Sequence, residues 1–453
     1  MRCLEITTKL LKLPKLFAEF DDNFEAGRIG KAMEKYRNIQ SEMTEIIELA
    51  DLNQVLIRDR IAKQLGLNWL GKFHEGLAFG TNDESYLLVS SQGEIIKDFR
   101  DQPITGVGKF RQGSAWIHTS FEMEEWIGTS RTDNYQLIDR EGEPISERFR
   151  YLDEDSDPPY LVSPLESGRL TFLDSDGKTS QYYLIATPFR DDRAWVAETI
   201  NDNFKLIDTS GNVITEDILE NVSPFSEGIS IVDTGSFDDR GRSIWAAVST
   251  DGSKVEFTLP FNPESINPPH NGICQIVFSE QDSEYLYGEL VGAEMRILGG
   301  IEADFDSPTG FKTFEEAEDF SEGLALVESV NLSADYTGNY YKYFINRNGF
   351  PALNHFRAFI DARSFSDGMA AVRPIDPETN MTDSWIYIDT SGKPAVLDSD
   401  GRPKVFANAW SFADGVAKVA DLEDGAYTDY YIDKNGKRLF GQSGRGGKDR
   451  NGN

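Results

Sequence analysis

The chain has 453 residues, 39% of them hydrophobic, with 29 Phe, 17 Tyr and 39 Gly but only 7 Met. This length fits two or three ordinary domains or one long repeat array, and the aromatic, glycine-rich composition favours strands and tight turns. The formal net charge is −32 at pH 7. Cys3 and Cys274 lie far apart in the chain, which excludes a disulfide scaffold and a CxxC redox or metal motif.

The charge is unevenly distributed along the chain. Residues 1–66 hold 11 Lys/Arg and 11 Asp/Glu, whereas residues 67–440 hold 31 and 65, a net charge of −34. Because nucleic acid is itself polyanionic, the acidic body is not expected to bind it directly. The charge favours a protein partner with a basic face, and a well-solvated acidic surface without such a partner is the simpler alternative.

Residues 1–66 are predicted to be helical. Apolar side chains recur there at three- or four-residue spacing, at Met33, Tyr36, Ile39 and Met43. We expect two or three helices, with a break near residues 27–30 and a stop at Gly66. The sequence shows no clean secretory signal and no apolar stretch long enough to span a bilayer, so the expected location is the cytoplasm.

After residue 66 one phrase recurs: an aromatic residue, two small or polar residues, a glycine and an alternating apolar stretch. It reads FSEG from Phe225 and Phe320, and FSDG from Phe365. The aromatic and glycine positions of the phrase are Phe73, Gly76, Phe110, Gly113, Phe225, Gly228, Phe320, Gly323, Phe365, Gly368, Phe412 and Gly415. In the copy FRDD, Asp192 stands in the place of the glycine. We expect each phenylalanine to anchor the interface between neighbouring units.

A second landmark is an aromatic-rich strand that ends in a tight turn, as in YIDTSG and YYIDKNG. Asp389 and Asp433 are expected to bond the backbone of their own turns, and Gly392 and Gly436 to supply a positive φ. In GMAAVRP, from Gly368, alternate residues should point to opposite faces of a sheet. The two landmarks together define a repeating β unit.

About eight to nine such units, each of roughly 40 residues, fill residues 67–440, and one unit alone cannot bury both of its faces. We therefore expect a mainly β repeat array that follows an α-helical N-terminal region. A closed β-propeller is favoured because closure removes sheet edges, and an open β-solenoid is the alternative. The expected domains are the helical region 1–66, the array 67–440 and a flexible glycine-rich basic tail 441–453.

The pairing of F-x-[DE]-G-x-A-x-V with [WY]-x-Y-I-D-x-x-G resembles the WG-repeat proteins, a bacterial family of β repeats. The resemblance covers about residues 67–440 and is most specific in the last three units. The Trp-Gly dipeptide itself is missing, since the matching places read WIYID from Trp385 and DYYID from Asp429. The resemblance implies a repeat β fold used mainly as an interaction surface, and it supplies no catalytic residues.

No motif for catalysis, a metal or a cofactor stands out in the sequence. The acidic run from Asp153 fails as an EF-hand, because Pro158 and Pro164 occupy the glycine and carboxylate positions. HExxH, GxSxG and a phosphate loop are absent, and the DSDG segments at Asp174 and Asp398 are interpreted as turns. We predict that the protein is not an enzyme and uses no cofactor or metal.

Two tyrosine clusters give a candidate binding surface, formed by Tyr336, Tyr340, Tyr341, Tyr427 and Tyr430. Tyrosine supplies rigid contact area, although these side chains could instead be strand residues with one face buried. We predict a protein–protein interaction scaffold or adaptor with an acidic β-repeat surface. A carbohydrate-binding or carbohydrate-hydrolysing propeller is the second hypothesis. The sequence sets no oligomeric state.

Overall fold

The fold was analysed in a computed structural model. It describes residues 9–10, 12–25, 29–82, 84–125, 128–200, 202–217, 219–279, 284–298, 313–329, 341–353, 358–375, 384–423 and 425–440. Within these residues two helices precede the first strand, α1 (Leu13–Glu25) and α2 (Ile29–Leu65). Neither helix in the described part of the chain is both long and apolar enough to cross a membrane.

Helix α2 ends at the predicted stop. Gly66 adopts a φ of 67°, and the N–H of Leu67 donates to the carbonyl of Ala62 (2.8 Å). This is the bond of a Schellman motif, in which a glycine in the left-handed region closes the last helical turn. The chain then enters the first strand within a few residues.

The described residues form seven antiparallel sheets, arranged as the blades of a propeller. Sheet 1 contains β1 (Trp69–Leu70), β2 (Leu77–Thr81), β3 (Tyr86–Ser90) and β4 (Ile95–Asp98). Sheet 2 contains β5 (Ile104–Val107), β6 (Ala115–Glu125), β7 (Gly128–Ile138), β8 (Phe149–Leu152), β9 (Tyr160–Pro164) and β10 (Thr171–Leu173). Sheet 3 contains β11 (Ile185–Ala186), β12 (Arg193–Ala197), β13 (Phe204–Asp208) and β14 (Val213–Asp217).

Four sheets follow. Sheet 4 contains β15 (Asn221–Val222), β16 (Ile229–Phe237), β17 (Ser243–Ser249) and β18 (Lys254–Thr258). Sheet 5 contains β19 (Ser265–Ile266), β20 (Cys274–Ser279), β21 (Glu284–Val291) and β22 (Glu294–Ile297). Sheet 6 contains β23 (Glu316–Ala317), β24 (Leu324–Ser329), β25 (Tyr341–Asn346), β26 (Phe359–Ala362), β27 (Met369–Pro374) and β28 (Ile386–Asp389). Sheet 7 contains β29 (Asn408–Ala409), β30 (Val416–Glu423) and β31 (Ala426–Asp433).

The seven blades correct the expectation of eight to nine. Sheets 2 and 6 each have six strands, because two neighbouring repeat units are joined edge to edge. In sheet 2 the joint is the pair Tyr135 and Phe149, and in sheet 6 it is the pair Lys342 and Phe359. The number of recurring phrases gives the number of repeat units. It does not show where two units share one sheet, so it overestimates the number of blades.

The hydrophobic core lies between neighbouring units. On β27, Ala371 packs with sheet 7, whereas Ala370 and Val372 pack with Leu326 and Phe344 on the preceding strands. The predicted alternation of faces is therefore confirmed. The six phenylalanines of the phrase are all buried, namely Phe73, Phe110, Phe225, Phe320, Phe365 and Phe412.

The turns of the second landmark also form as predicted. The Asp389 carboxylate accepts the N–H groups of Ser391 (2.9 Å) and Lys393 (3.0 Å), and Gly392 has a φ of 82°. The turn at Asp433 is built alike, with bonds from the N–H groups at positions 435 (2.9 Å) and 437 (3.0 Å) and a φ of 72° at Gly436. These bonds stop each strand at a fixed residue.

Candidate functional site

The recurring phrase folds into a two-residue hairpin turn. Asp367 and Gly368 have φ values of 56° and 83°, and Ser366 pairs with Met369 across them. Positive φ at both central residues is typical of a type I′ turn, whose twist matches that of the flanking strands. The same pair of positive φ values occurs at Glu75–Gly76, Gln112–Gly113, Glu227–Gly228, Asn271–Gly272, Glu322–Gly323 and Asp414–Gly415.

The acidic residue before the glycine bonds the next turn along the chain. Its carboxylate accepts the backbone N–H of the glycine in the next copy of the turn. The pairs are Glu75 with Gly113 (2.9 Å), Asp191 with Gly228 (2.7 Å), Glu322 with Gly368 (2.8 Å) and Asp367 with Gly415 (2.7 Å). Glu227 accepts two N–H groups, from Asn271 (2.6 Å) and Gly272 (2.7 Å). We call this series of bonds the turn ladder.

The serine of the phrase adds a second link between units. Ser226 Oγ donates to the carbonyl of Pro269 (2.6 Å), and Ser321 Oγ donates to the carbonyl of Phe365 (2.7 Å). The sequence predicts the phenylalanine of the phrase as an anchor, but it predicts neither the turn at the glycine nor the two kinds of link between units. The available signal was an acidic residue before the glycine in successive copies.

The copy FRDD tests the turn and the ladder separately, because Asp191 and Asp192 both have positive φ (50° and 60°). Asp192 occupies the glycine position, so Asp192→Gly should raise the free energy of unfolding by about 0.5–1 kcal/mol by relieving left-handed strain. Asp191→Gly relieves similar strain but removes the ladder bond to Gly228, so we expect it to lower stability. Urea unfolding of both variants checks the two opposite signs, and equal shifts would contradict a role for the carboxylate.

Helix α2 lies at the junction of the first and last sheets. Val55, Ile61 and Ala62 are buried in one hydrophobic cluster with residues of sheet 1 and with Val416 and Phe440 at the end of the array. The Gly415 backbone approaches so closely that a Cβ there would lie 3.0 Å from Val55 Cγ2. The first and last units therefore meet through the helix.

Arg58 is the polar centre of this junction. The guanidinium is 2% exposed, and it donates from Nε to the Leu70 carbonyl (3.0 Å) and from Nη1 to the Asp414 carbonyl (3.1 Å). It also lies over the Phe440 ring, 5.8 Å from the centroid. One side chain thus joins α2, sheet 1 and sheet 7.

Lys72 reinforces the same junction. Its Nζ lies 3.2 Å from Asp51 on α2 and 3.3 Å from Asp414 in the last turn. Partial burial alone would lower the pKa of Lys72, but the Asp414 and Asp51 carboxylates outweigh it and raise that pKa. Burial lowers the pKa of Arg58 to about 10, so the guanidinium stays charged at neutral pH.

Exposed carboxylates cluster along the turns of sheets 4 to 6. We call the set formed by Glu227, Glu318, Asp319, Glu322 and Asp367 the acidic arc. All but the half-buried Asp367 are exposed. Two basic groups stand close by, since His270 Nε2 lies 3.5 Å from Asp319 and the Arg347 guanidinium lies beside Gly272. The arc is thus a predominantly negative surface on a hydrogen-bonded frame.

The tyrosines predicted as a binding surface have different surroundings. Tyr336 and Tyr340 lie outside the described residues, and Tyr341 is half-buried at the start of β25. Tyr427 is 56% exposed. Tyr430 is only 4% exposed, and its hydroxyl donates to Asp421 (2.7 Å), so this ring belongs to the core. Tyr427 and Tyr430 lie on the same strand but on opposite faces of it, so they do not form one surface.

No group of three or more His, Cys, Asp or Glu side chains among the described residues could hold a metal ion. Cys274 is buried, and burial raises the pKa of its thiol to about 12, which suppresses the thiolate. A cavity of about 380 Å³ is lined by Lys109, Arg111, Glu154 and Asp155 together with Trp116 and Tyr160, whose rings are both buried.

The sheets, the type I′ turns and the ladder define a β-propeller built from sequence repeats. Each repeat supplies a buried phenylalanine and a turn that contacts its neighbour. The family model described as "WG containing repeat" matches residues 206–236 and 312–330, so these parts of the chain are similar to WG repeats. The resemblance predicted from the sequence is therefore confirmed.

Other similarities are weak. No curated protein sequence matches the chain. A crystal structure of a eukaryotic initiation factor is 10% identical, with a TM-score of 0.43 over 83% of this chain and 87% of that one. Apo AztD from Citrobacter koseri is 13% identical, with a TM-score of 0.35 over 72% and 94% of the two chains. At these scores we draw no functional conclusion from either structure.

Proposed function

We propose that the protein is a non-enzymatic scaffold whose acidic arc docks a protein partner with a basic face. The observation that carries this proposal is the placement of carboxylates, most of them exposed, on turns of sheets 4 and 6 that are linked by hydrogen bonds through the Asn271 turn of sheet 5. A propeller of WG repeats is compatible with an interaction scaffold. The net charge of −34 in residues 67–440 gives the whole array the same sign as the arc.

The ladder prepares the arc for binding. Glu227, Glu322 and Asp367 are already held by backbone N–H groups, so a partner does not have to order these side chains on binding. Their second role is to present negative charge, which steers a basic partner toward the surface and fixes its register. Such binding is weakened by salt, because exposed charge pairs are screened.

The combined substitution E227Q/E322Q/D367N tests this proposal. It removes three negative charges. The amide oxygen can still accept the single ladder bond at positions 322 and 367, whereas at position 227, where each carboxylate oxygen accepts one N–H, one of the two bonds is lost. At about 0.5 kcal/mol per rim charge, affinity for a partner captured from native lysate should fall roughly tenfold. The measurement is a titration of the captured partner at low and moderate salt, by quantitative pull-down.

The matched control is E84Q/D101N/D239N, which removes three exposed charges outside the arc. It should leave affinity within about twofold of the unmodified chain. A partner that binds both triple variants equally, or that is insensitive to salt, would contradict docking on the arc. Capture of no partner by the unmodified chain would count against a scaffold.

The cavity lined by Trp116 and Tyr160 does not support the carbohydrate hypothesis. Sugar binding needs exposed aromatic faces, but the rings of Trp116 and Tyr160 at the cavity are buried. We propose that the array works in the cytoplasm, that it closes as a ring, and that α2 takes part in closing it. On this proposal, residue 66 marks the change from a helical to a β-strand sequence pattern within one folded unit.

A further inference from the structure

Five large apolar side chains of the N-terminal region stay nearly half exposed among the described residues. They are Leu10, which lies before α1, Phe17 on α1, and Met33, Tyr36 and Met43 on α2. Each of the five is between 44% and 48% exposed. We call them the helical stripe. The three residues of α2 fall on one side of the helix, as at a helix–helix seam.

The helices already pack against each other, and Tyr36 stands at the edge of this contact. The Phe20 and Tyr36 rings lie 6.2 Å apart, and Lys9 Nζ lies 3.2 Å from Glu42, but Tyr36 is still 44% exposed. All contacts of α2 with the sheets given above are made from Asp51 onward. Two helices cannot bury apolar faces on more than one side, whereas four helices enclose a core between them.

We propose that the helical stripe is the interface between two copies of this chain, which pair through their helices. The zero net charge of residues 1–66 favours a second copy of the chain over a basic or acidic partner at this surface. Residues 1–66 hold equal numbers of acidic and basic residues, in a chain whose net charge is −32. Two copies can therefore meet without repulsion only through the helices, and a charged partner gains no steering there.

The size and composition of the stripe fit a reversible homodimer. Five large side chains from each copy would bury on the order of 1,000 Å² in total, the lower limit of a specific interface. In a two-fold contact the same stripe serves both copies, so a single patch is sufficient. Met33 and Met43 are unbranched and adapt their shape to the opposing surface.

Sedimentation of the full chain tests the proposal. Between about 1 and about 100 µM the unmodified chain should shift from monomer toward twice its mass of 50.9 kDa. The variant M33E/M43E places four carboxylates in the seam of a dimer and should remain monomeric over this range. The control V213E/V405E adds the same charges at exposed valines of the array and should dimerise like the unmodified chain. An unmodified chain that stays monomeric, or an M33E/M43E variant that dimerises equally well, would overturn the proposal.

A second measurement does not depend on the folding of a variant. Isotope-labelled and unlabelled copies of the unmodified chain are mixed and cross-linked through lysine. Links between copies are expected at Lys12, Lys15 and Lys31, which are exposed near the stripe. Intermolecular links confined to lysines of residues 67–440 would place the interface elsewhere and refute the helical dimer.

Discussion

Replacing Arg58 with alanine is expected to lower the free energy of unfolding by about 3 kcal/mol, because two hydrogen bonds from a charged donor disappear at a buried site. The Leu70 and Asp414 carbonyls lose their guanidinium partner, and the Phe440 ring loses its stacked neighbour. Leu70 is fully buried, so water cannot easily replace the donor. Urea denaturation followed by tryptophan fluorescence measures the change.

Arg60→Ala is the control. Arg60 lies on the same helix but is exposed, so its removal should change stability by less than about 0.5 kcal/mol. Arg58→Lys separates charge from geometry, since lysine keeps the charge but cannot donate in two fixed directions. We expect it to lose most of the stability that alanine loses. Equal unfolding midpoints for the Arg58 and Arg60 variants would show that the junction does not depend on this side chain.

The lowered pKa of Arg58 shows what the charge itself contributes. Its value of about 10 in the folded chain lies below the ordinary 12.5, because burial disfavours the charged form. As pH rises past about 10, the folded chain therefore releases this proton before the unfolded chain does, and the folded state gains relative stability from this group. Below that pH, desolvation opposes folding, so the stabilisation must come from the hydrogen bonds and the ring contact.

The local chemistry of the repeat could be predicted from the sequence. A buried anchor followed by a turn with positive φ is indicated by Phe365, Asp367 and Gly368, because both features depend on residues within a few positions. Tyr430 could also have been placed correctly. Along β31 it shares the inward face with Ile432, whereas Tyr427 points outward, as the two-residue period of a strand requires.

The links between units could not be predicted in the same way. The carboxylate of Asp367 bonds an N–H group 48 residues later, and the Arg58 guanidinium bonds a carbonyl 356 residues away. In the sequence, Arg58 resembles any cation on a polar helix face. The predicted number of blades was wrong for a related reason. The pair between Lys342 and Phe359 joins two units, and no residue of the recurring phrase indicates this pairing.

Removal of residues 1–66 is expected to have the largest effect on the fold. Val55, Ile61 and Ala62 are almost completely buried between the first and last units, and Arg58 is buried beside them. Loss of these apolar contacts alone should cost about 5 kcal/mol, and it exposes Leu70, Val416 and Phe440 to water. The shortened chain 67–453 should therefore unfold at much lower urea concentration than the full chain, or aggregate.

Removal of residues 1–28 is the matched control, because it deletes α1 but keeps all of α2. This chain should retain Arg58, Lys72 and the buried face of α2 in place, and its urea midpoint should stay close to that of the full chain. The contrast between the two deletions separates a closing element of the array from an appended helical domain. If 67–453 unfolded at the same urea concentration as the full chain, α2 would be an appendage and residue 66 a true domain boundary. A large loss in 67–453 alone would instead show that the propeller completes its core with a helix, since its first and last units bury Leu70 and Phe440 against α2.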